Sequence, residues 1–316
     1  MQEMKPQKAE LLKKLEVGLI LDEELKCLIR AQLERRVLWI NSHNCEQRYA
    51  HLHNHVQSLR PTSVEMETNE VNPDAYDDVP IEFSKLIHGR AMKMSWCYFE
   101  AESTTLDDAE VAMLDLYCER AQIKDGDQVL DIGCGYGSLV IYIARKYPNC
   151  HVTGITDTTS QKEYIVEQCR NQNLNNVEVI LADVTEYNMD KAFDRVMVIE
   201  VFEPLNEDDW IEEIIFPDMI LTIPSADFLL YFQTDVSVVN HWVLNGKHVA
   251  RSSEVWLKRL DANADTAKAV VEAFTGCEKE AMKWINYTRA SFLHGIEQGG
   301  YNNGEEWLIV HILFKK

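Results

Sequence analysis

The chain has 316 residues, 46% of them hydrophobic, and 52 acidic against 31 basic side chains give it a formal net charge of −21. These apolar side chains suffice for a sizeable core, as is typical of a soluble globular protein. The acidic balance disfavours nucleic acids and anionic membranes as partners, because both would be repelled, and it suits small cationic ligands. No apolar run is long enough to span a bilayer and no signal core opens the chain, so we expect a cytoplasmic protein.

Neither the cysteines nor the histidines form a metal-binding pattern. The eight cysteines are scattered without a C-x-x-C pair and are predicted to be reduced thiols. His51, His53 and His55 alternate in one short stretch, but no cysteine or carboxylate completes a ligand set beside them. The sequence therefore predicts no metal site.

Helical patterns occupy the N-terminal part of the chain. Leucines recur at helical spacing between residues 11 and 33, and Asp22 is predicted to cap the second of these helices. A third, polar helix is predicted for residues 45–59. Residues 61–80 are rich in proline, asparagine and acids, and they are predicted to form a linker.

The middle of the chain alternates between helices and strands. A helix over residues 103–121, with Thr105 as its cap, precedes the first strand. Short apolar strands are predicted at residues 128–132, 151–155, 177–181 and 193–199, with helices at 138–146 and 160–172 between the first three. This alternation predicts an α/β fold with a doubly wound parallel sheet.

The alternation stops near residue 204. A short helix is predicted from Asn206 to about Phe216, and the segments that follow are a strand at 228–233, helices at 253–263, 264–274 and 278–293, and a final strand at 306–314. We therefore divide the chain into three parts. These are an N-terminal helical segment with its linker over residues 1–80, a Rossmann-like core over 81–203, and a substrate-binding cap with the final strands over 204–316.

The strongest chemical signal is the run Asp131-Ile132-Gly133-Cys134-Gly135-Tyr136-Gly137 between a strand and a helix. Gly133 and Gly135 permit a tight turn and a close approach of a ligand to the backbone. A dinucleotide site would show G-x-G-x-x-G, whereas the spacing here is G-x-G-x-G with an acid two residues ahead. An acid suits a ligand with an ammonium group, such as the amino-acid end of S-adenosylmethionine. The run therefore predicts an S-adenosylmethionine site rather than a plain tight turn.

Acidic side chains follow the later strands as well. Asp157 would hold the ribose hydroxyls of the same ligand, cap the helix that follows, or do both. Asp183 would accept a hydrogen bond from the adenine amino group, with Val184 against the ring, or else be solvated in a loop. Glu200 and Glu203 follow the fourth strand, where two carboxylates can bind a cationic amine and accept its proton. The alternative for this pair is an exposed acidic loop.

Longer strings of the sequence resemble one family. The strings STTLDDAEVAMLDLYCERAQIKDG, VLDIGCGYGSL, SQKE, DVSVVNHW, LNGKH and WLKRLD, and the ending YNNGEEW…LFKK, are similar to those of the coclaurine N-methyltransferases and related plant alkaloid N-methyltransferases. The resemblance covers nearly the whole chain. The wider superfamily includes the cyclopropane fatty acid synthases, which share the type of string that runs from Ser95 to Phe99.

The resemblance implies S-adenosylmethionine as methyl donor and the nitrogen of a benzylisoquinoline or phenylalkylamine as acceptor. It implies nine residues that line the cofactor: Ser95, Asp131, Gly133, Gly135, Asp157, Gln161, Asp183, Val184 and Ile199. It places four residues toward the acceptor: Tyr76, Tyr287, Thr288 and Arg289. Relatives carry Asn where this chain has Asp157, and Trp where it has Thr288. The smaller Thr288 is expected to enlarge the pocket or to change which amines fit.

One departure from the family follows Glu203. Relatives carry Glu-x-x-Glu-His there, followed by a helix, a sheet strand and another helix, whereas Glu203 meets Pro204 directly in this chain. The resemblance therefore implies that a segment containing the family's active-site His is absent. We expect an enzyme that performs in-line methyl transfer to the amine nitrogen, with Glu200 and Glu203 as the catalytic carboxylates. The alternatives are an S-adenosylmethionine-binding isoform impaired in catalysis and a lipid methyltransferase of the cyclopropane synthase kind. A homodimer is a further hypothesis.

Overall fold

The computed structural model describes residues 4–58, 80–184, 187, 189–201 and 225–316. The helices are α1 (Met4–Glu16), α2 (Asp22–Ser42), α3 (Cys45–Ser58), α4 (Ile81–Ile87), α5 (Leu106–Arg120), α6 (Ser138–Lys146), α7 (Thr159–Asn171), α8 (Lys247–Ala262), α9 (Ala264–Thr275) and α10 (Glu278–Gly300). The strands are β1 (Gln128–Ile132), β2 (His151–Thr156), β3 (Val177–Leu181), β4 (Arg195–Val198), β5 (Ser237–Leu244) and β6 (Ile309–Lys315).

A parallel sheet organises the middle of the chain and confirms the predicted α/β fold. Within the described residues it contains four strands in the order β3-β2-β1-β4. The central strand β1 pairs with β2 on one side and with β4 on the other. Because all four strands run in the same direction, their carboxyl ends meet at one edge of the sheet.

Helices α5 and α6 pack on this sheet through apolar side chains. Met113 and Leu114 of α5 and Ile143 of α6 are fully buried in one cluster with Val129 of β1. Thr105 caps α5 as predicted, because its Oγ1 accepts a hydrogen bond from the backbone N–H of Asp108. The apolar face of α5 packs on the sheet and Thr105 satisfies its N-terminus. Both features are visible in the sequence, which explains why the predicted helix is close to the observed one.

The C-terminal part forms a separate two-stranded sheet. Strand β5 pairs antiparallel with β6, from Ser237 opposite Lys315 to Leu244 opposite Ile309. The strand predicted at residues 228–233 is wrong, because Phe228–Tyr231 form a single 3₁₀ turn. There Phe228 is buried and its ring lies 5.4 Å from that of Phe232 in an edge-on contact. A short apolar run does not by itself distinguish a strand from a buried turn.

The N-terminal helices pack on α10 through a small apolar cluster of their own. Ile29 and Leu33 of α2 are buried against Ala290 and Leu293 of α10. The predicted capping role of Asp22 is wrong. Leu21 occupies the cap position without a side-chain hydrogen bond, and the Asp22 carboxylate accepts hydrogen bonds from Arg289 instead.

Two predicted segments, the helix beginning at Asn206 and most of the linker at residues 61–80, lie outside the described residues. In the part that is described, no helix combines the length and apolar character needed to cross a bilayer. The same part contains no group of three or more His, Cys, Asp or Glu side chains that could hold a metal ion. All eight cysteines are free thiols.

Shortening a buried side chain of α5 tests the packing on the sheet. Leu114 is 0% exposed, and we expect Leu114→Ala to lower the free energy of unfolding by about 2–5 kcal/mol, since a cavity replaces the lost contacts. On the same helix Val111 is 40% exposed, so Val111→Ala is the matched control and should cost less than about 1 kcal/mol. Chemical denaturation would measure the free energy of unfolding of both variants. An equal loss of stability in the two would contradict this packing.

Candidate active site

The glycine-rich loop that connects β1 to α6 leaves open space against its backbone. Gly133 and Gly135 have φ values of 70° and 53°, a left-handed conformation that glycine adopts without strain. A Cβ atom built at Gly135 meets nothing within 4 Å. At Gly133 a Cβ would lie 2.6 Å from Cγ2 of Val201, so the segment after β4 packs directly on the loop. A ligand can therefore approach the backbone at Gly135 beside the end of β4.

Asp131 gives this loop a buried acid. Its side chain is only 3% exposed, and burial raises the pKa of its carboxyl to about 7. Within the described ranges it forms no ion pair and no side-chain hydrogen bond. A buried carboxyl that lacks a cationic partner fits a ligand with an ammonium group. The observed loop therefore suits the amino-acid end of S-adenosylmethionine.

Two further predicted cofactor positions lie at the end of β2. The hydroxyl of Thr158 donates to Oδ1 of Asp157 at 3.0 Å, and the hydroxyl of Thr156 donates to Oε1 of Gln161 at 2.6 Å. Thr158, and not Asp157, occupies the cap position of α7. These contacts tie Asp157 and Gln161 to the carboxyl end of β2, on the same edge as the glycine loop.

The ends of β3 and β4 bring further residues to that edge. Asp183 and Val184 follow β3 and both are exposed. Ile199 follows β4 and packs against the buried cluster that contains Met197. The structure thus gathers the predicted cofactor residues of the four strands because parallel strands end at one edge.

Glu200 comes directly after Ile199 and is held in an uncommon backbone conformation. Its φ is 54°, in the left-handed region that non-glycine residues seldom adopt. Its Oε1 accepts a hydrogen bond from the backbone N–H of Trp96 at 3.1 Å. The strand end and this contact place the carboxylate beside the segment of Ser95 and Trp96.

Two residues of this segment were missed by the sequence analysis. Lys93 is fully buried, and its Nζ donates to Oγ of Ser95 and to the carbonyl oxygen of Trp96, each at 2.5 Å. The Trp96 ring stacks on that of Trp256, with 5.4 Å between centroids. The only sequence feature that could have indicated the buried lysine is its position in the otherwise apolar run Ala91-Met92-Lys93-Met94 before Ser95.

The residues predicted to face the acceptor make their described contacts with other helices. The Tyr287 hydroxyl donates to Glu16 of α1 at 3.0 Å, and Arg289 pairs with Asp22 of α2 and with Asp261 of α8. The hydroxyl of Thr288 donates to the carbonyl oxygen of Trp284, one turn earlier in α10. Their role toward an acceptor stays a prediction, and the predicted positions Tyr76 and Glu203 lie outside the described residues.

The raised pKa of Asp131 predicts a pH dependence of cofactor binding. Only the ionised carboxylate attracts an ammonium group, and an α-amino group stays protonated below pH 7. The affinity for S-adenosylmethionine should therefore increase by about tenfold or more from pH 5.5 to pH 7, as measured by titration calorimetry. Asp131→Asn should remove most of this dependence. A wild-type affinity that is flat over this range would contradict the role of Asp131.

Comparison with known proteins identifies close relatives. (S)-Coclaurine N-methyltransferase from Thalictrum flavum subsp. glaucum is 49% identical over 352 aligned positions, which cover 98% of this chain and 97% of the relative. The (S)-coclaurine N-methyltransferase from Papaver somniferum is 42% identical, with 98% of each chain covered. A crystal structure of coclaurine N-methyltransferase bound to N-methylheliamine and SAH has a TM-score of 0.91 and 48% identity, and covers 98% of this chain and 99% of that chain.

A wider relationship concerns the cyclopropane synthases. The family model of mycolic acid cyclopropane synthetase matches residues 64–209. The structure of the cyclopropane synthase MmaA2 from Mycobacterium tuberculosis has a TM-score of 0.61 at 19% identity, and covers 79% of this chain and 99% of that chain. At that identity the likeness shows the shared fold alone.

The alignment with the Thalictrum relative also contains a gap. It runs over 352 positions, although this chain has only 316 residues. The relative therefore contains residues that have no counterpart here. The location of this gap after Glu203 stays a prediction from the sequence.

Proposed function

This chain belongs to the coclaurine N-methyltransferase family of plant alkaloid N-methyltransferases, and we propose that it methylates the nitrogen of a small alkaloid amine of the benzylisoquinoline or phenylalkylamine type. The main observation behind this proposal is the position of Glu200. It lies at the same sheet edge as Asp131, Asp157 and Asp183, so one edge has both a cofactor site and a carboxylate that can accept a proton. Support also comes from the relative of known structure, which is bound to N-methylheliamine and SAH.

The cofactor half of the site would be held by the ends of three strands. Asp131 would pair with the ammonium group, Asp157 would accept from the ribose hydroxyls, and Asp183 would accept from the adenine amino group. The bound cofactor would supply an electrophilic methyl group. The chain's own contribution is to hold that group and the amine in line for attack, which is the larger part of catalysis between two bound reactants.

Glu200 would then control the proton of the acceptor. Secondary amines are mostly protonated at neutral pH, and only the neutral form has a lone pair for attack. A carboxylate beside the nitrogen attracts the cation and accepts its proton. The backbone N–H of Trp96 donates to Glu200, and the Trp96 ring stacks on that of Trp256. The ring of Phe292 lies 5.8 Å from that of Trp256. Trp256 is buried in the core, whereas the Trp96 ring is only partly buried, and a partly exposed aromatic ring beside a carboxylate suits a cationic aromatic amine.

Replacing the proposed base tests this assignment. We expect Glu200→Gln to lower kcat by about 10²–10⁴-fold with a secondary amine, since general base catalysis contributes that range. The amide oxygen can still accept from Trp96, so the affinity for S-adenosylmethionine should stay within about twofold of the original. Product mass spectrometry over a panel of benzylisoquinoline and phenylalkylamine acceptors would measure the methyl transfer.

Glu163 provides the matched control, because it is an exposed glutamate on α7. Glu163→Gln should leave kcat unchanged. Equal turnover in the Glu200→Gln variant and the unsubstituted chain would contradict the role of Glu200. No product from the unsubstituted chain, with cofactor binding intact, would contradict the enzymatic proposal.

A second candidate function is an S-adenosylmethionine-binding isoform that is impaired in catalysis. The gap in the alignment with the Thalictrum relative favours it, because the segment predicted to be absent carries the family's active-site His. The exposure of β4 agrees with the loss of a neighbouring strand: Val196 is 53% exposed, and β4 pairs with β1 but with no second strand among the described residues. Measuring methyl transfer by the unsubstituted chain distinguishes the two functions.

A further inference from the structure

Lys93 is a fully buried cation beside the cofactor site. It is 0% exposed, and within the described ranges it forms no ion pair with a carboxylate. Its Nζ donates to Ser95 Oγ and to the carbonyl oxygen of Trp96, each at 2.5 Å, and lies 5.1 Å from the centre of the Tyr117 ring. Burying an ammonium group is unfavourable even when it is hydrogen-bonded. A role in stability alone therefore explains this lysine poorly.

The surroundings of Lys93 keep it positively charged. Burial by itself would lower the pKa of Lys93, but Tyr117, Cys97 and Glu200 together raise it above its ordinary value. Two buried histidines nearby stay neutral. Burial, with nearby cationic side chains that include Lys93, lowers the pKa of both His88 and His311 to about 3. The ammonium is thus a persistent positive charge that is buried away from solvent.

Lys93 and Glu200 hold the same short segment from its two sides. Lys93 binds the carbonyl oxygen of Trp96, while Glu200 binds the N–H of Trp96. Lys93 also fixes the hydroxyl of Ser95, the residue of this segment that is predicted to line the cofactor. Any ligand that contacts Ser95 is therefore separated from the ammonium by a single hydrogen-bonded side chain.

We propose that Lys93 is a positioning residue of the cofactor site that fixes Ser95 and Trp96 and sets the preference between S-adenosylmethionine and S-adenosylhomocysteine. This inference rests on the proposed function. S-adenosylmethionine carries a positive sulfonium, whereas S-adenosylhomocysteine has a neutral thioether. A fixed ammonium beside the site acts alike on the amino and carboxylate groups that both compounds carry. Only the sulfonium adds a further repulsion, which weakens binding of S-adenosylmethionine relative to S-adenosylhomocysteine. When the methyl group is transferred, the N–CH3 bond forms as the S–CH3 bond breaks, and the positive charge passes from the sulfur to the acceptor nitrogen, which ends the repulsion at the sulfur.

Charge removal at Lys93 tests the proposal through binding alone. Lys93→Gln keeps groups that can hydrogen-bond to Ser95 and Trp96, and Lys93→Met removes both the charge and the hydrogen bonds. Titration calorimetry at pH 7.5 would give Kd for S-adenosylmethionine and for S-adenosylhomocysteine. We expect the Kd for S-adenosylmethionine divided by the Kd for S-adenosylhomocysteine to fall by roughly three- to tenfold in both variants. This is the scale of the interaction with one screened charge.

Two controls separate charge from structure. Ser95→Ala keeps the ammonium and removes its hydroxyl partner, so both Kd values should rise by the same factor and their ratio should not change. Lys124 is exposed ahead of β1, and Lys124→Met should leave both Kd values unchanged.

Equal changes of the two Kd values in Lys93→Gln, or no change in either, would overturn the proposal. If Lys93→Met does not fold, Lys93→Gln decides the question, because its amide can still bind Ser95 and Trp96. Failure of the unsubstituted chain to bind either compound would instead contradict cofactor binding itself, and the role of Lys93 with it.

Discussion

Parallel hydrogen bonding on both sides of β1 is the constraint on which the site depends. Ile132, the last residue of β1, stands opposite Ile155 of β2 and Val198 of β4. The three strands therefore end at the same level, and the residues that follow them meet. A slip of one residue would move the buried Val129 to the opposite face of the sheet, so core packing holds the register. The geometry of the cofactor edge is thus a consequence of how the core packs.

Two ionisable groups near this edge are buried for different reasons. Asp131 lies in the strand whose end carries the glycine loop, and its carboxyl, with its raised pKa, is suited to a cationic ligand. Lys93 obtains its partners from within the chain, through Ser95, Trp96 and Tyr117. Asp131 is predicted to pair with the ammonium group of the cofactor, whereas the hydrogen-bond partners of Lys93 belong to the chain itself. Methyl transfer moves a positive charge from sulfur to nitrogen, so the placement of these charges bears directly on the reaction.

The helix that carries the predicted acceptor residues is also the anchor of the N-terminal helices. Arg289 of α10 pairs with Asp22 and Asp261, and Tyr287 binds Glu16. These polar contacts add to the apolar packing of α2 on α10. A change at Arg289 or Tyr287 would therefore disturb the attachment of α1 and α2 as well as any acceptor pocket. The N-terminal helices are thus attached to α10 at residues that are predicted to face the acceptor.

The sequence by itself determined the elements of the parallel sheet and the chemistry of its edge. Short strands with apolar side chains, the G-x-G-x-G run and the acids at the strand ends are local patterns, and β1, β3 and α6 occur at the predicted residues. Local patterns did not predict every feature of the fold. The run at Phe228 became a turn, and Asp22 became the partner of Arg289 and not a helix cap. Lys93 is the clearest case: in the sequence it is one lysine among 31 basic residues. Only the packing of its segment against α5 and the end of β4 shows that its charge is buried beside the site. Burial and charge environment depend on contacts between residues far apart in the chain, and such contacts exist only after folding.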